Sequence, residues 1–534
     1  MSTTPITPRW QRALAMLRPS HRHTAFTATL LLMATAIASR VIGLVRVKYI
    51  AHLLGKTAAA DAFNTAFQLP DMISYFFVGG AASITFVTML TRYREAGREA
   101  EGERSMSVIL TTMLLVLGTA IVLAEIFTPL FVHLLVPGFQ QDPAKAALWV
   151  RLTRILLPGP LFFLSGGVFG SVLLARKQFS VQAVTQLIYS AGPIFGGILL
   201  YRLLGVSSLA VGAMAGAFCG NFLLNAIGAQ RAGMHYRPIL DWSDPGLREW
   251  VQMSIPLMVG VSLVSADSWL MNHFASDTKG AVSLLTYAKT LFNAPVALGQ
   301  AAGAASLPFL ASLYGKADRG PFARAVNSSV SRILALSTLL SAFLIAMALP
   351  LVDVLLRGGA LHRSDSGTIA AYFAIFSISL CLWAAQAIYA RAFYAAGNTL
   401  TPMIAGTAVT VVSFFIYRML FHSTGAAGLA IASDIGIFIQ TATIAILLHR
   451  RRMVSLAGLE YKEILRSVLA AAIGYAALSA MLRYMPHATS RLYELGLLVV
   501  ATIVWLAISG VILKATGSAL PGQLLARFSK QKTA

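Results

Sequence analysis

"SVILTTMLLVLGTAIVLAEIFTPLFVHLLVPG", residues 107–138, carries one ionised side chain, Glu125, in a run that is otherwise apolar, small or uncharged. About 20 such residues cross the hydrocarbon core of a bilayer as a helix, which pairs every backbone polar group within the segment. The same pattern recurs along the whole chain. Of its 534 residues, 57% are hydrophobic and 12% are charged, about half the charged share of a soluble domain. Mean hydropathy is +0.72. The sequence therefore predicts an all-α polytopic membrane protein. Its spans, about fourteen, fall near 25–51, 61–91, 106–133, 148–174, 181–201, 207–230, 248–275, 281–313, 326–349, 368–397, 400–421, 424–448, 463–483 and 491–514.

A formal net charge of +22 raises the question of nucleic acid. The basic residues, however, sit in alternate short connectors: Arg9, Arg12, Arg18 and Arg22; then Arg92, Arg94, Arg98 and Arg104; then Arg176 and Lys177; Arg231 and Arg237; Lys316, Arg319 and Arg324; and finally Arg450, Arg451 and Arg452. That is the positive-inside pattern, which places both termini in the cytoplasm and leaves no basic domain for nucleic acid. The apolar stretch ending in "AIAS" also fits a cleaved leader, but the pattern continues beyond it. Cys219 and Cys381 lie far apart in apolar segments and read as packing residues, without a disulfide framework or metal spacing.

The tail of the opening stretch, "PLFVHLLVPG" (129–138), reappears as "PLVDVLLRGG" (350–359), and "VGGAASITFV" (78–87) reappears as "AAGAASLPFL" (301–310). The offsets agree closely (350 − 129 = 221; 301 − 78 = 223), and the turn at Arg176 and Lys177 falls opposite "GNTLTP" (397–402). An even number of spans separates the copies, so the repeats are parallel and related by an axis along the membrane normal. Two six-helix lobes around a central cavity, with rocking that gives alternating access, are the physical expectation. The expected divisions are 1–24 (basic N-terminal segment), 25–230 (first lobe), 231–450 (second lobe) and 451–534 (two extra helices and a basic tail).

Within the first span, Arg40 and Arg46 lie about 9 Å apart along a helix and about 120° apart around it. Gly43 falls midway between them, so the wall between the two guanidinium groups lacks a side chain. A guanidinium facing lipid costs at least about 2.5 kcal/mol, so the pair is expected to face protein, water or the interface. Arg binds phosphate in a bidentate way, which makes an anion site the functional expectation. The competing account is snorkelling to headgroups or pairing with Asp61. Lys48 is nearer the helix end. Asp267, one repeat offset beyond Arg46, is a candidate salt-bridge partner or cation ligand. Lys289, in "TYAKTLFNAP", is a candidate second cavity cation. Glu125, Arg391 and Asp434 read as helix-end or packing charges, and Arg151 and Arg154 as headgroup contacts.

With these residues in view, "SRVIGLVRVKYIAHLLGKTAAADAFNTAFQLPDM" (39–72), "VPGF" (136–139) and "RAFYAAGNTLTPM" (391–403) resemble the MurJ (MviN) family. These are bacterial flippases of the lipid-linked peptidoglycan precursor, within the multidrug/oligosaccharidyl-lipid/polysaccharide exporter superfamily. The resemblance implies an inward-open and outward-open cycle, a cationic cavity for the pyrophosphate, and a groove beside the two extra helices for the lipid tail. Arg40 and Arg46 match the family's first-helix arginines, and Asp61 its acidic residue on the second helix. Ser74 stands where that pattern has an arginine, Gly79 where it has a glutamate, and Thr290 where it has the second-lobe arginine, with Lys289 in place of the neighbouring aspartate.

The substrate-binding set expected from the sequence is thus Arg40, Gly43, Arg46, Asp61 and Lys289, with Asp267 as ion or salt-bridge partner. The expected function is transport of a polyprenyl-pyrophosphate-linked precursor across a bacterial inner membrane by a monomer. No enzyme, cofactor, metal or nucleic acid enters it. Membrane potential or a monovalent cation are the candidate drives, and membrane lipids and the cell-wall synthesis machinery the candidate partners. The sequence has no DxD metal motif, HxxxxD pair or large soluble loop for an acyl- or glycosyltransferase. A drug/cation antiporter would place carboxylates where this chain has arginines. A flippase for another lipid-linked oligosaccharide and a non-transporting membrane paralogue are the alternatives to be tested.

Overall fold

The structure, a computed structural model, describes residues 25–77, 89, 92–93, 96–176, 179–259, 263–315, 320–485 and 491–522. The readings of the basic segment 1–24, of the block 78–87 with Gly79, and of the tail beyond 522 lie outside the described residues. Among those described no strand occurs, and one isolated bridge pairs Gly358 with Leu361.

The helices are, in chain order, α1 (Ala25–Leu54), α2 (Ala58–Ala66), α3 (Gln68–Phe77), α4 (Glu99–Leu135), α5 (Pro143–Leu156), α6 (Gly159–Ala175), α7 (Phe179–Leu204), α8 (Ser207–Gly216), α9 (Asn225–Arg231) and α10 (Pro245–Val259). They continue with α11 (Leu263–Ala275), α12 (Ala281–Tyr314), α13 (Gly320–Ala346), α14 (Ala348–Leu355), α15 (Arg363–Ile378), α16 (Leu380–Ala395), α17 (Leu400–Thr424), α18 (Ala426–Arg450), α19 (Tyr461–Tyr484) and α20 (Arg491–Ala515). Among the described residues ten segments are long and apolar enough to cross a membrane, and the pair α15–α16, bent by 41°, makes an eleventh. The remaining expected spans correspond to α1, to α2 with α3, and to α10 with α11. The repeat is visible in the element bounds: α13 starts 221 residues after α4 (320 − 99), α17 starts 221 after α7 (400 − 179), and α18 starts 219 after α8 (426 − 207).

The chain divides into two compact units, one formed by the chain up to Tyr49 with Ala62–Val259, the other by Ile50–Asp61 with everything from Gly260 onward. The first unit packs α4, α6 and α10 around Met106, Ile109, Met113, Val168 and Trp250. Between α6 and α10, a GxxxG pair on α7 (Gly192, Gly196) crosses another on α8 (Gly212, Gly216). A Cβ at Gly196 would lie 2.4 Å from the Ser208 carbonyl oxygen, and one at Gly212 would lie 2.4 Å from that of Gly192. Only hydrogen atoms fit there, which is how membrane helices without a hydrophobic driving force gain contact. A π-helical turn, Ala217–Leu224, joins α8 to α9.

Proline punctuates this unit. Pro143 opens α5 behind the cap Asp142, whose side chain accepts from Lys145 N at 3.1 Å. Pro70 cannot continue a helix past Ala66, because its ring meets the carbonyl four residues back; α2 ends there and α3 begins at Gln68. Pro129 inside α4 frees the carbonyl of Glu125, which accepts from Thr128 Oγ1 at 3.1 Å and from Arg154 Nε at 3.2 Å. Arg154 is therefore engaged with its own fold instead of serving only as a headgroup contact.

The boundary between units differs from the expected one at 230. α10 belongs to the first unit because its entry is tied to α4 and the segment before it: Asp241 pairs with Arg104 at 3.2 Å and Asp244 accepts from Ser105 Oγ at 3.2 Å, both on α4, and Glu249 meets Arg92, ahead of α4, at 2.8 Å. In the second unit α12 and α16 approach through Gly299 against Ala384 and Gly303 against Ala387. The two extra helices pack on α13: Leu339 lies with Ala470 and Leu513, Met347 with Leu478 and Ala501, and Phe343 against Trp505 at 5.2 Å. Apolar side chains such as Leu199, Phe415, Leu465 and Ile503 stay exposed on the outer faces, as a lipid solvent permits.

Candidate functional site

In the first unit, α1 is held against α7 at two levels. Ser39 and Ser190 share a buried hydrogen bond of 3.4 Å, and the Tyr49 ring lies on Gly197, where a Cβ would come within 2.6 Å of it. With that face used for packing, Arg40 is left exposed and Arg46 half-buried. An atom added at Gly43 would meet nothing within 4 Å, so the space between the two arginines is open, as their spacing predicts.

The structure adds an acidic residue to this face. Asp71, in the first turn of α3, keeps solvent contact and feels the charge of Arg46, and Tyr189 of α7 feels the charges of both. The Arg46 guanidinium, a carboxylate and a phenol therefore share one polar region of the unit, with Arg40 six residues before Arg46 on α1. Asp71 was missed in the sequence although "QLPDM" carried the signal: Pro70 forces the helix break, and the residue after it lands in a first turn, where a carboxylate is favoured.

The second unit places the other candidates away from solvent. Lys289 is 5% exposed, and its ammonium lies 2.7 Å from Asp267 Oδ2 and donates to Ser433 Oγ at 2.9 Å. The rings of Phe376, Trp383 and Phe292 stand 4.4, 5.0 and 5.3 Å from it, an aromatic cage of the kind that holds cations. Tyr417 donates to the remaining oxygen of Asp267. Lys289 is thus no free cation for a substrate, contrary to the expectation: its charge is spent on Asp267, whose partner is Lys289 and not a first-lobe arginine. The reason is the 100° step of a helix. Thr290, where an arginine was sought, occupies a different side and donates back to Thr286 O at 2.8 Å, while Lys289 points into the helix packing. Ser74 is half-buried on α3.

Asp61 is also not placed to touch a ligand. It is fully buried, accepts from Gly280 N at 2.8 Å and Ser283 N at 3.0 Å, and takes the Ser283 hydroxyl at 2.6 Å. These are the amides that α12 leaves unpaired at its start, so Asp61 caps α12 from outside its own sequence. Gly280, at φ +78°, supplies the left-handed turn that presents them. The same segment is fastened by Tyr287 Oη donating to Gly55 O at 2.9 Å, Ala360 N to His52 O at 2.8 Å, and Lys56 pairing with Asp365 at 2.6 Å. This is why residues 50–61 belong to the second unit.

Among the described residues no three His, Cys, Asp or Glu side chains are grouped to hold a metal ion. The geometry offers binding and charge compensation.

A family model described as "Lipid II flippase MurJ" matches residues 50–503. The chain is 27% identical over 440 residues to a probable lipid II flippase MurJ of Vibrio cholerae, covering 79% of this chain and 82% of that protein. It is 26% identical over 439 residues to the lipid II flippase MurJ of Burkholderia cenocepacia, covering 80% and 84%. Among solved structures it is similar to a lipid II flippase MurJ in an inward closed conformation, with a TM-score of 0.75 at 19% identity over 91% of this chain and 99% of that one. A multidrug resistance MATE family transporter of the MOP superfamily in an inward-facing conformation follows at 0.64 and 14%, over 79% and 98%. The fold is that of this transporter superfamily, and because the family model runs through most of its length, the chain belongs to the lipid II flippase MurJ family.

Proposed function

We infer that this multi-pass membrane protein moves lipid II, the polyprenyl-diphosphate-linked peptidoglycan precursor, from the inner to the outer leaflet of a bacterial cytoplasmic membrane by alternating access. It serves cell-wall synthesis and breaks no covalent bond. The observation that carries this reading is the open face of α1, where Arg40 and Arg46 flank Gly43 with nothing within 4 Å of an added Cβ.

The planar fork of a guanidinium donates paired hydrogen bonds to the oxygens of a diphosphate, and charge-assisted pairs of this kind are about twice as strong as neutral ones. Gly43 lets the diphosphate approach the backbone of α1. Asp71 acts as a resident counter-charge for Arg46: it lowers the cost of an unliganded arginine and is displaced from that role when the diphosphate binds. Affinity is thereby kept moderate, which a transporter needs for release. The positive-inside pattern supports cytoplasmic termini. An anionic headgroup carried outward also moves down an inside-negative potential, worth about 2.3 kcal/mol per charge per 100 mV, which favours the membrane potential over a monovalent cation as the drive in this reading.

The test is complementation in a bacterium depleted of its own lipid II flippase, with membrane expression confirmed. Growth is expected with the native chain and is expected to fail with Arg40→Ala. Growth of Arg40→Ala and Arg46→Ala at the native rate would remove the anion-site reading.

A further inference from the structure

At one end of the second unit, where α13 and α19 finish and α20 begins, Arg357 joins two buried carboxylates. Its Nη1 lies 3.2 Å from Asp353 Oδ2, one turn earlier on α14, and 3.4 Å from Glu494 Oε1 in the first turn of α20. Asp353 is 1% exposed and Glu494 6%. Arg491, a turn before Glu494, donates to the backbone oxygen of Arg357. One guanidinium nitrogen thus meets one oxygen of each carboxylate. The other two oxygens, Asp353 Oδ1 and Glu494 Oε2, are buried without a donor, although the two carboxyl groups lie within hydrogen-bonding reach of each other. Carboxylates only accept, so a donor has to come from outside the pair.

Both residues line a cavity of about 120 Å³. Its walls are otherwise mostly apolar, from Leu349 and Pro350 of α14, Leu482 of α19 and Leu497 of α20, and its third charged residue is the exposed Arg363 at the start of α15. The helix ends put this cavity at a bilayer surface, at the end of α19 remote from the Arg450–Arg452 connector. A shared proton satisfies the two oxygens and leaves the cavity and Arg363 unused. A hard divalent ion takes about six or more oxygens, and beyond the two carboxylates the cavity adds the hydroxyl of Tyr493. An ammonium brings three donors, apolar walls suit carbon attached to it, and a guanidinium suits a phosphate. The space equals the share of about four waters, matching the two carbons, nitrogen and oxygen of an ethanolamine group.

We propose that this cavity binds the headgroup of a phospholipid that carries a primary amine. The ammonium donates to Asp353 Oδ1 and Glu494 Oε2, the phosphate faces Arg363, and the chains meet the apolar walls. Held there, the lipid bridges α14, α15, α19 and α20 and ties the two extra helices to the rest of their unit. The site does not rest on the flippase reading.

The experiment uses the full chain, delipidated in detergent, with native mass spectrometry of bound dioleoyl phosphatidylethanolamine or dioleoyl phosphatidylcholine at equal concentration. The two lipids differ only in the methyl groups that replace the N–H donors. The native chain is expected to hold the ethanolamine lipid about tenfold more tightly, and the preference to vanish in Glu494→Gln and in Asp353→Asn. Arg363→Gln, which leaves the buried pair intact, is expected to weaken both lipids alike and keep the preference. Equal retention of the two lipids by the native chain overturns the proposal and leaves a shared proton between the carboxyl groups. A preference that survives Glu494→Gln and Asp353→Asn together also overturns it, as does one abolished by millimolar magnesium, which would make the pair a metal site. Glycerophosphoethanolamine, the headgroup without chains, is expected not to compete at equal concentration; full competition would overturn the lipid assignment in favour of a free amine. The comparison of lipids on the native chain decides even where a carboxylate variant fails to fold.

Discussion

Arg46 and Lys289 show how differently two intramembrane cations can be used. Arg46 is half-buried beside open space and shares its field with Asp71, so its removal is expected to affect transport and not folding. Arg46→Ala should slow lipid II movement by about tenfold to a hundredfold, the equivalent of one set of charge-assisted hydrogen bonds, with an unchanged melting temperature. Lys289 is the reverse case. Lys289→Gln leaves Asp267 buried and uncompensated, and a broken buried pair costs about 3 to 5 kcal/mol. A large drop in melting temperature in detergent is expected, with most of it regained in the Lys289→Gln, Asp267→Asn double variant; an unchanged single variant would show that the pair contributes nothing. The sequence marked all four ionisable positions Arg40, Arg46, Asp267 and Lys289. It could not say which of the second-lobe pair faced inward, because adjacent residues differ by a 100° turn and only the neighbouring helices decide which side is buried.

For the elements, apolar length was the legible quantity. α4, α7, α12, α13, α17, α18, α19 and α20 lie within a few residues of their expected bounds except at the ends of α4 and α13, where the helix runs on into polar connector. Breaks were less legible. Pro70 signals the gap between α2 and α3, yet hydropathy alone reads straight through it. The membership of residues 50–61 in the second unit has no local signature, since it depends on Asp61 finding the amides of Gly280 and Ser283 some 220 residues later. The glycine crossing of α7 and α8 is a sharper sequence signal, and it makes a definite prediction. Gly196→Leu puts a branched side chain where even a Cβ would sit 2.4 Å from a carbonyl oxygen. Overpacking should cost about 1 to 3 kcal/mol, read as a lower melting temperature, while Gly43→Ala, with open space around it, should melt like the native protein and lose transport instead.

At the scale of the molecule, parallel repeats and the family assignment agree, and the substrate's charge sets the energetics. In liposomes an imposed inside-negative potential is expected to speed outward movement of lipid II, and an inside-positive one to slow it. Equal rates under both would show that the charge on the headgroup is neutralised during passage. The connectors carry a consequence for how the protein is made. α7 is joined to α8 by two residues, with Gly205 at φ +55°, and α17 to α18 by Gly425 alone, at φ +63°. Links that short fix each pair as an antiparallel hairpin of neighbouring helices, so the two helices of a pair are expected to settle in lipid as one unit, and lengthening either link is expected to loosen that unit without touching the arginine face.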